Sequence, residues 1–441
     1  MKIEELYKTF KKHPNICTDS RKSENNSIFF ALKGEKFNGN IYAVNALGKC
    51  EYAVVDEKKY AIDDRFVLVN DVLSTLQELA KHHRIKMNIP LIAITGTNGK
   101  TTTKELTKLV LEKNYKVCST QGNYNNHIGV PLTILRIDEK DDICVLEMGA
   151  NHFGEIQKLC DIARPDYGLV TNIGKAHLKG FKSLDGVKKA KGELFTYLYN
   201  NNGVAFINSD NEILPELNPP HKTIIYGSSK FTHCQGKLLD SEIFLELRWL
   251  STNKSLEDDI IVEWDNDIRF IKTKLVGKYN FENVLAAICI GNHLGISDID
   301  IKNAIENYKP ANNRSQLLKT ENNTIFLDAY NANPTSMKTA IDNIVFIKAN
   351  NKVLILGDML ELGNETMIEH ASIINYIQNK GFKNVYLIGE NFAEVLDDKK
   401  YKSFINTSEF INWLKENKIY KSNILIKGSR GGELEKAVEY L

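Results

Sequence analysis

The sequence is poor in cysteine and offers no way of grouping what it has. The seven residues at 17, 50, 118, 144, 160, 234 and 289 are odd in number and contain no CxxC pair. That argues against both a disulfide framework and a structural zinc and points to a reducing compartment. Net charge is nearly absent too, because 57 Lys+Arg against 56 Asp+Glu leaves +1. No overall field draws the chain to nucleic acid or to an anionic membrane, so any polyanion must be held by a local site. No stretch of about 20 apolar residues occurs, and the opening MKIEELYKTFKKHPN lacks the apolar core of a signal peptide. A soluble cytoplasmic protein without membrane insertion is expected. Internal repeats and low-complexity linkers are missing as well.

What is present is length and periodicity. At 441 residues the chain has room for three domains, and 42% hydrophobic with 26% charged residues is ordinary globular composition. Residues 1–88 carry the short apolar runs SIFFAL, YAVV and FVLV. An amphipathic stretch runs from Asp71 to Lys86, with Val72, Leu76, Leu79 and Ala80 on one face, so a small α/β unit is expected. Residues 89–309 restart with the strand LIAIT, a glycine loop and the helical TTTKELTKLVLEKN, then strands at ICVLEM, YGLVTNI and GVAFIN. This order predicts a central parallel sheet of the P-loop ATPase type, and strands from about 223 to 276 suggest an antiparallel addition. From 310 to 441, β and α runs alternate again through TIFLDAY, KVLILG, NVYLIG and NILIKG to a last helical run, GELEKAVEYL. A Rossmann-like, doubly wound sheet is expected there, without the GxGxxG of a dinucleotide site. The fold class is α/β in three domains.

Gly96-Thr97-Asn98-Gly99-Lys100-Thr101-Thr102 lies between strand and helix. Glycines let backbone N–H groups close around phosphate oxygens and the helix N-terminus adds a positive dipole. Lys100 neutralises charge, and the Thr101 hydroxyl suits magnesium. The full GxxxxGK[ST] pattern is not met, since Ile94 stands where its first glycine would be. Glu147 ends the strand ICVLE and His177 comes after the next strand, and ligands of open α/β sheets gather at such carboxyl ends. Each alone reads more readily as a solvated rim residue or a loop donor. Lys191, beside Lys188 and Lys189, reads on its own as part of a solvated basic helix face. DAYNANP at 328–334 reads equally well as an Asx turn and helix cap.

Taken together, GTNGKTT, GNYNNHIGVPLT at 122–133, EMGANHFGEI at 147–156, VTNIGKAHL at 170–178, AKGELF at 190–195, DAYNANP, LGDMLELG at 356–363 and KGSRG at 427–431 resemble the Mur ligases of peptidoglycan synthesis. The motifs run in family order through all three expected domains. The resemblance implies an ATP-dependent ligase that joins D-alanyl-D-alanine to UDP-N-acetylmuramoyl-tripeptide through an acyl phosphate. It implies that Ser20 and Arg21 bind the uridine nucleotide, that Lys100 and Thr101 serve the ATP phosphates and a first magnesium, and that Gly96, Thr97, Asn98, Gly99 and Thr102 complete the loop. Glu147 and His177 match ligands of a second magnesium, and Lys191 matches a lysine that is carbamylated in relatives. Asn280 matches an adenine contact, and Arg314 and Asp328 match third-domain residues that close on the nucleotide. Asn125, Asn126 and Asn172 match the muramoyl-peptide channel, with Asn331 also on the substrate side. The small-molecule substrates would be the only partners, with no nucleic acid, and a monomer is expected.

Three departures stand out. Tyr279 replaces the usual His before the adenine-side Asn, FNGN replaces FDGH, and His127 replaces an acidic residue. A sibling ligase or a folylpolyglutamate synthase shares the phosphate loop and the acyl-phosphate route, so substrate choice separates them. A regulatory P-loop ATPase would turn over nucleotide with no muramoyl substrate.

Overall fold

The structure is a computed structural model and describes residues 2–230, 232–241, 243–251, 269–397 and 400–441. Its N-terminal sheet has four parallel strands in the order Asn15–Cys17, Ser27–Phe30, Tyr52–Val55 and Phe66–Leu68. Helix Val72–Met87 is capped by Asp71, whose side chain accepts from the Ser74 N–H at 2.6 Å. Val72, Leu76, Leu79 and Ala80 are buried, as their spacing predicts. The same helix packs on Gly129–Ile134 and Glu155–Ala163, so one apolar core runs from the first unit into the central one. Arg84 strengthens that junction, donating to Ala163 O at 2.8 Å and to Asp166 at 2.9 Å. The boundary expected at 88/89 falls on left-handed Asn88, between this helix and strand Leu91–Thr95.

The central sheet has nine strands. From one edge they run Val117–Ser119, Ile143–Glu147, Leu91–Thr95, Tyr167–Val170, Val204–Asn208, Lys222–Gly227, Cys234–Leu238, Phe244–Ser251 and Phe270–Val276. Pairing is parallel as far as Cys234–Leu238 and antiparallel beyond it. The antiparallel addition is therefore narrower than expected. Lys222–Gly227 joins the parallel part because it is reached by a crossover through Leu214–Leu217 rather than by a hairpin turn. Part of the strand-rich span expected from 223 to 276 falls on 252–268, outside the described residues. The register that matters sets Ile94 opposite Glu147 and Thr95 opposite Val170, so three strand ends open side by side.

The C-terminal sheet orders Gln316–Lys319, Asn323–Asp328, Ser422–Lys427, Lys352–Gly357, Asn384–Ile388 and Lys402–Phe404. Only the first pair is antiparallel. Separate apolar clusters, one built on Met337, Ile341 and Ile373 and the other on Phe410, Leu414 and Leu434, cover its two faces. That is the doubly wound arrangement expected. The last run is a correction: Leu434–Tyr440 is a 3-10 helix. It starts from left-handed Glu433 and buries Leu434 and Ala437, a three-residue spacing that suits three residues per turn. Among the described residues no helix is long and apolar enough to cross a membrane, and all seven cysteines are free and buried.

Candidate active site

The central and C-terminal strand ends face one cavity of about 1020 Å³. On the central side, the loop after Leu91–Thr95 turns at Gly96 and Gly99, both at positive φ (137° and 81°). A Cβ at Gly96 would overlap Thr171 and one at Gly99 would overlap Asn283, so the loop's close approach demands glycine at both. The segment after the next strand braces it. Asn172 accepts from Thr97 N–H through its carbonyl (2.9 Å) and from Asn98 N–H through its side chain (3.0 Å), and the Gly174 N–H donates to Thr97 Oγ1 at 2.9 Å. Lys100 Nζ lies back along the loop, donating to Gly96 O at 2.8 Å and Thr97 O at 3.1 Å. Burial pushes its ammonium below the usual lysine range, nearby Glu147 opposes that, and Arg314 adds to it.

Glu147 is buried, and its hydrogen bonds come from the central domain. Thr101 Oγ1 donates to Oε2 at 2.8 Å, Asn125 Nδ2 donates to Oε1 at 2.7 Å, and the Glu147 N–H donates to Thr120 Oγ1 at 2.9 Å. Lys191 is 2% exposed, which overturns the solvated-face reading. Among the described residues its Nζ reaches only the Ala150 carbonyl, at 3.4 Å, and it sits 5.5 Å from the Phe181 ring centre. Desolvation, reinforced by the charge of Lys100, brings its pKa down to about 7. His177, at left-handed φ 52°, brings its Nδ1 against the Glu361 carboxylate of the C-terminal domain. Among the described residues no three His, Cys, Asp or Glu side chains converge as a metal cluster.

The C-terminal wall closes over these groups. Asp328 is paired at 2.5 Å with Lys427, itself buried at the end of the adjacent strand. Asn333 caps helix Pro334–Phe346 and extends its Nδ2 to Asn98 Oδ1 at 2.8 Å, so the cap is also a bridge to the phosphate loop. Lys175 and Glu369 make a further cross-domain pair at 2.7 Å. The Tyr330 ring carries Arg314 at 3.7 Å on its π system and Arg430 at 5.3 Å.

Most residues singled out from sequence line this cavity: Thr97, Asn98, Gly99, Lys100, Thr101, Thr102, Asn125, Asn126, Glu147, Asn172, His177, Lys191, Asn280, Arg314, Asp328 and Asn331. Several are already engaged. Asn126 accepts from Ile128 and Gly129 N–H groups, and Asn331 accepts from the Ala332 N–H. Asn280 is fully buried and donates to Val276 O at 2.8 Å while accepting from Asn283 at 3.0 Å. Tyr279, where the sequence departs from the family pattern, bonds Ser315 Oγ at 2.6 Å, and burial raises its phenol pKa. Ser20 and Arg21 lie elsewhere, in the N-terminal unit, where Arg21 forks onto Asp19 at 2.8 and 2.9 Å and holds that carboxyl near pKa 2. Sequence reasoning missed Glu361, Lys427, Tyr330 and Arg430. Lys427 had a signal, since it ends the strand NILIK, and Glu361 and Arg430 lie inside the LGDMLELG and KGSRG motifs.

Comparison with known proteins agrees with this geometry. Residues 94–291 match the Mur ligase middle domain and residues 313–430 the Mur ligase, glutamate ligase domain. The UDP-N-acetylmuramoyl-tripeptide–D-alanyl-D-alanine ligase of Bacillus subtilis is 33% identical over 438 residues, covering 97% of this chain and 92% of that one. A crystal structure of MurF from Acinetobacter baumannii superposes with TM-score 0.85 at 26% identity, covering 99% of this chain and 97% of that one. The MurF ligase of Thermotoga maritima, solved in complex with ADP, gives TM-score 0.81 at 25% identity over 97% and 96%. Matched along its whole length, this chain belongs to the Mur ligase family, among its MurF members.

Proposed function

We propose that the chain joins D-alanyl-D-alanine to UDP-N-acetylmuramoyl-tripeptide at the expense of ATP. The observation that carries this reading is the meeting, in one cavity, of a phosphate loop, a braced carboxylate and a buried low-pKa lysine under a second domain. The terminal carboxylate of the tripeptide attacks the γ-phosphorus, and the bond to the bridging oxygen of ADP breaks. The amine of the dipeptide then attacks the acyl carbon of the mixed anhydride and displaces phosphate. Lys100 and the loop N–H groups offset charge on the transferring phosphoryl group, and stabilising that charge supplies most of the rate enhancement in such chemistry. Asn125, Asn126 and Asn172 line the same cavity, where the family resemblance puts the muramoyl peptide. The cross-domain contacts at Asn98, Lys175 and His177 hold the third domain down, which keeps water from the mixed anhydride.

The donor set fits a hard cation. The Thr101 hydroxyl and Glu147 carboxylate lie 2.8 Å apart with oxygens directed at each other, an arrangement one ion could replace. Thr101 and Glu147 would hold a first magnesium beside the phosphates, and Glu147, His177 and a carbamate on Lys191 a second. Bound there, magnesium neutralises the crowded phosphate and carboxylate charge. Lys191 suits carbamylation because carbon dioxide reacts with the neutral amine, which a pKa of about 7 makes abundant. The deciding assay tracks phosphate release with ATP, UDP-muramoyl-tripeptide and acceptor. Release requiring tripeptide and dipeptide together is expected. Equal turnover with single D-alanine would assign the chain to a sibling activity, and release without tripeptide to a nucleotide switch.

A further inference from the structure

One buried charge of the central domain has no place in the chemistry above. Lys104 lies one turn along from Lys100 in helix Lys100–Leu111 and is 1% exposed. An ammonium taken out of water is costly unless it is paired and hydrogen-bonded, and a methionine would fill the same helical position without that cost. Its Nζ pairs with the Glu105 carboxylate and donates to Thr120 O at 2.8 Å. Lys104 does not line the active-site cavity.

The bond to Thr120 leads to Glu147. Thr120 is buried and follows Val117–Ser119, an edge strand of the central sheet. Its N–H donates to Val145 O at 3.2 Å, its carbonyl accepts from Lys104, and its Oγ1 accepts from the Glu147 N–H at 2.9 Å. The chain then runs out through Gln121 and Gly122 and returns at Asn125, whose Nδ2 donates to Glu147 Oε1 at 2.7 Å and whose carbonyl accepts from the Gly149 N–H at 2.7 Å. Both ends of this short segment are therefore fastened at Glu147. On its outer side Thr120, Gln121 and Gly122 line a second cavity of about 470 Å³ together with Glu105 and Arg136, so no packed layer presses the segment inward. Arg136 holds the preceding carbonyl, Ser119 O, at 2.7 Å, and Lys104 holds that of Thr120.

Thr101 and Lys104 are three residues apart and share one face of the helix. Thr101 Oγ1 donates to the Glu147 carboxylate, and Lys104 reaches the Glu147 main chain through Thr120. The helix that opens at the phosphate loop thus grips Glu147 twice, once directly and once by relay. On the ligase reading above, we infer that Lys104 is a positioning residue: through Thr120 it sets Glu147, and with it the cation site that Glu147 and Thr101 would form, against the phosphate loop.

The test compares full-length wild type with Lys104→Met, Glu105→Gln, Thr120→Val, Thr120→Ser and the Lys104→Met, Thr120→Val double variant. Ligation kinetics are read beside the binding of manganese(II), a paramagnetic stand-in for magnesium, titrated with ADP present by electron paramagnetic resonance. Lys104→Met should lower kcat about 10- to 100-fold, the range of one charge-assisted hydrogen bond, keep KM for tripeptide and dipeptide within about twofold, and bind manganese about 10-fold more weakly. Thr120→Val should show the same pattern, and Thr120→Ser, which keeps the hydroxyl, should restore most of it. The double variant should lose no more than the larger single loss, because the two residues act in series. Glu105→Gln should stay near wild type, since the bond to Thr120 remains. Additive losses in the double variant, a Lys104→Met enzyme with wild-type kcat and manganese affinity, or a Glu105→Gln enzyme as impaired as Lys104→Met would each overturn the assignment. If urea titration shows Lys104→Met unfolded, Thr120→Val and Thr120→Ser carry the test, and equal rates for the two would overturn it. A wild type that ligates nothing would fell the ligase reading, and manganese affinity would then decide on Lys104 by itself, full affinity in Lys104→Met overturning its role.

Discussion

The central and C-terminal domains are built alike, each a largely parallel sheet whose strand ends open on the same cavity, yet they charge that cavity in opposite ways. In the central domain the titratable groups are withdrawn and braced: Glu147 is held from three sides, and Lys191 is sealed in with a single carbonyl at 3.4 Å. In the C-terminal domain Lys427 is neutralised by Asp328 in the floor, and Arg430 is left free at the surface of the wall. The same architecture thus gives withdrawn, braced charges on one side and an exposed arginine on the other. The difference lies in the segments into which the strands lead. Leu91–Thr95 runs into a glycine loop and a helix N-terminus, whereas Asn323–Asp328 and Ser422–Lys427 run into an Asx cap and turns that bring Tyr330 and Arg430 to the cavity.

The contrast breaks first at Lys100. Lys100→Ala should lower kcat about 100-fold or more, since one lost transition-state charge contact costs about 3 kcal/mol. A variant near wild-type rate at saturating ATP would mean that the loop does not carry the phosphoryl step.

Lys191 sharpens it through pH. Its amine titrates near 7 in the folded chain against 10.5 as the ordinary value. Between those limits the unfolded chain holds a proton that the folded chain has lost, so stability rises with pH across the window. Relative to Lys191→Met, the unliganded wild type should gain up to about 1.4 kcal/mol per pH unit from pH 7 to pH 9 in urea unfolding. Parallel curves for the two proteins would return Lys191 to an ordinary exposed lysine.

The smallest effect belongs to the domain seam. Lys175 is half exposed where it meets Glu369, so Lys175→Ala should change stability by no more than about 1 kcal/mol. A larger loss in the same urea titration would show the seam to be a structural core contact rather than a releasable one.

How much of this was legible in the sequence depended on how local each feature is. The phosphate loop was readable because glycine, lysine and threonine act within one turn. On helix Leu184–Asn200, Lys191 read as part of a solvated basic face, although it falls in register with buried Val187, Leu194 and Leu198. A lysine on an apolar stripe was the signal, masked by its neighbours Lys188 and Lys189. The partners of His177 and Asn98 come from the other domain, at Glu361 and Asn333, and no local pattern encodes such a meeting. The parallel pairing of Lys222–Gly227 was lost for the same reason, since a crossover and a turn differ in where the chain returns.

The most direct measurement traces oxygen. The terminal carboxylate of the tripeptide is labelled with oxygen-18, and the phosphate released during turnover with ATP and dipeptide is weighed by mass spectrometry. If the central domain activates that carboxylate as an acyl phosphate before the amine arrives, one labelled oxygen must leave with each phosphate. Unlabelled phosphate alongside ligated product would contradict the account.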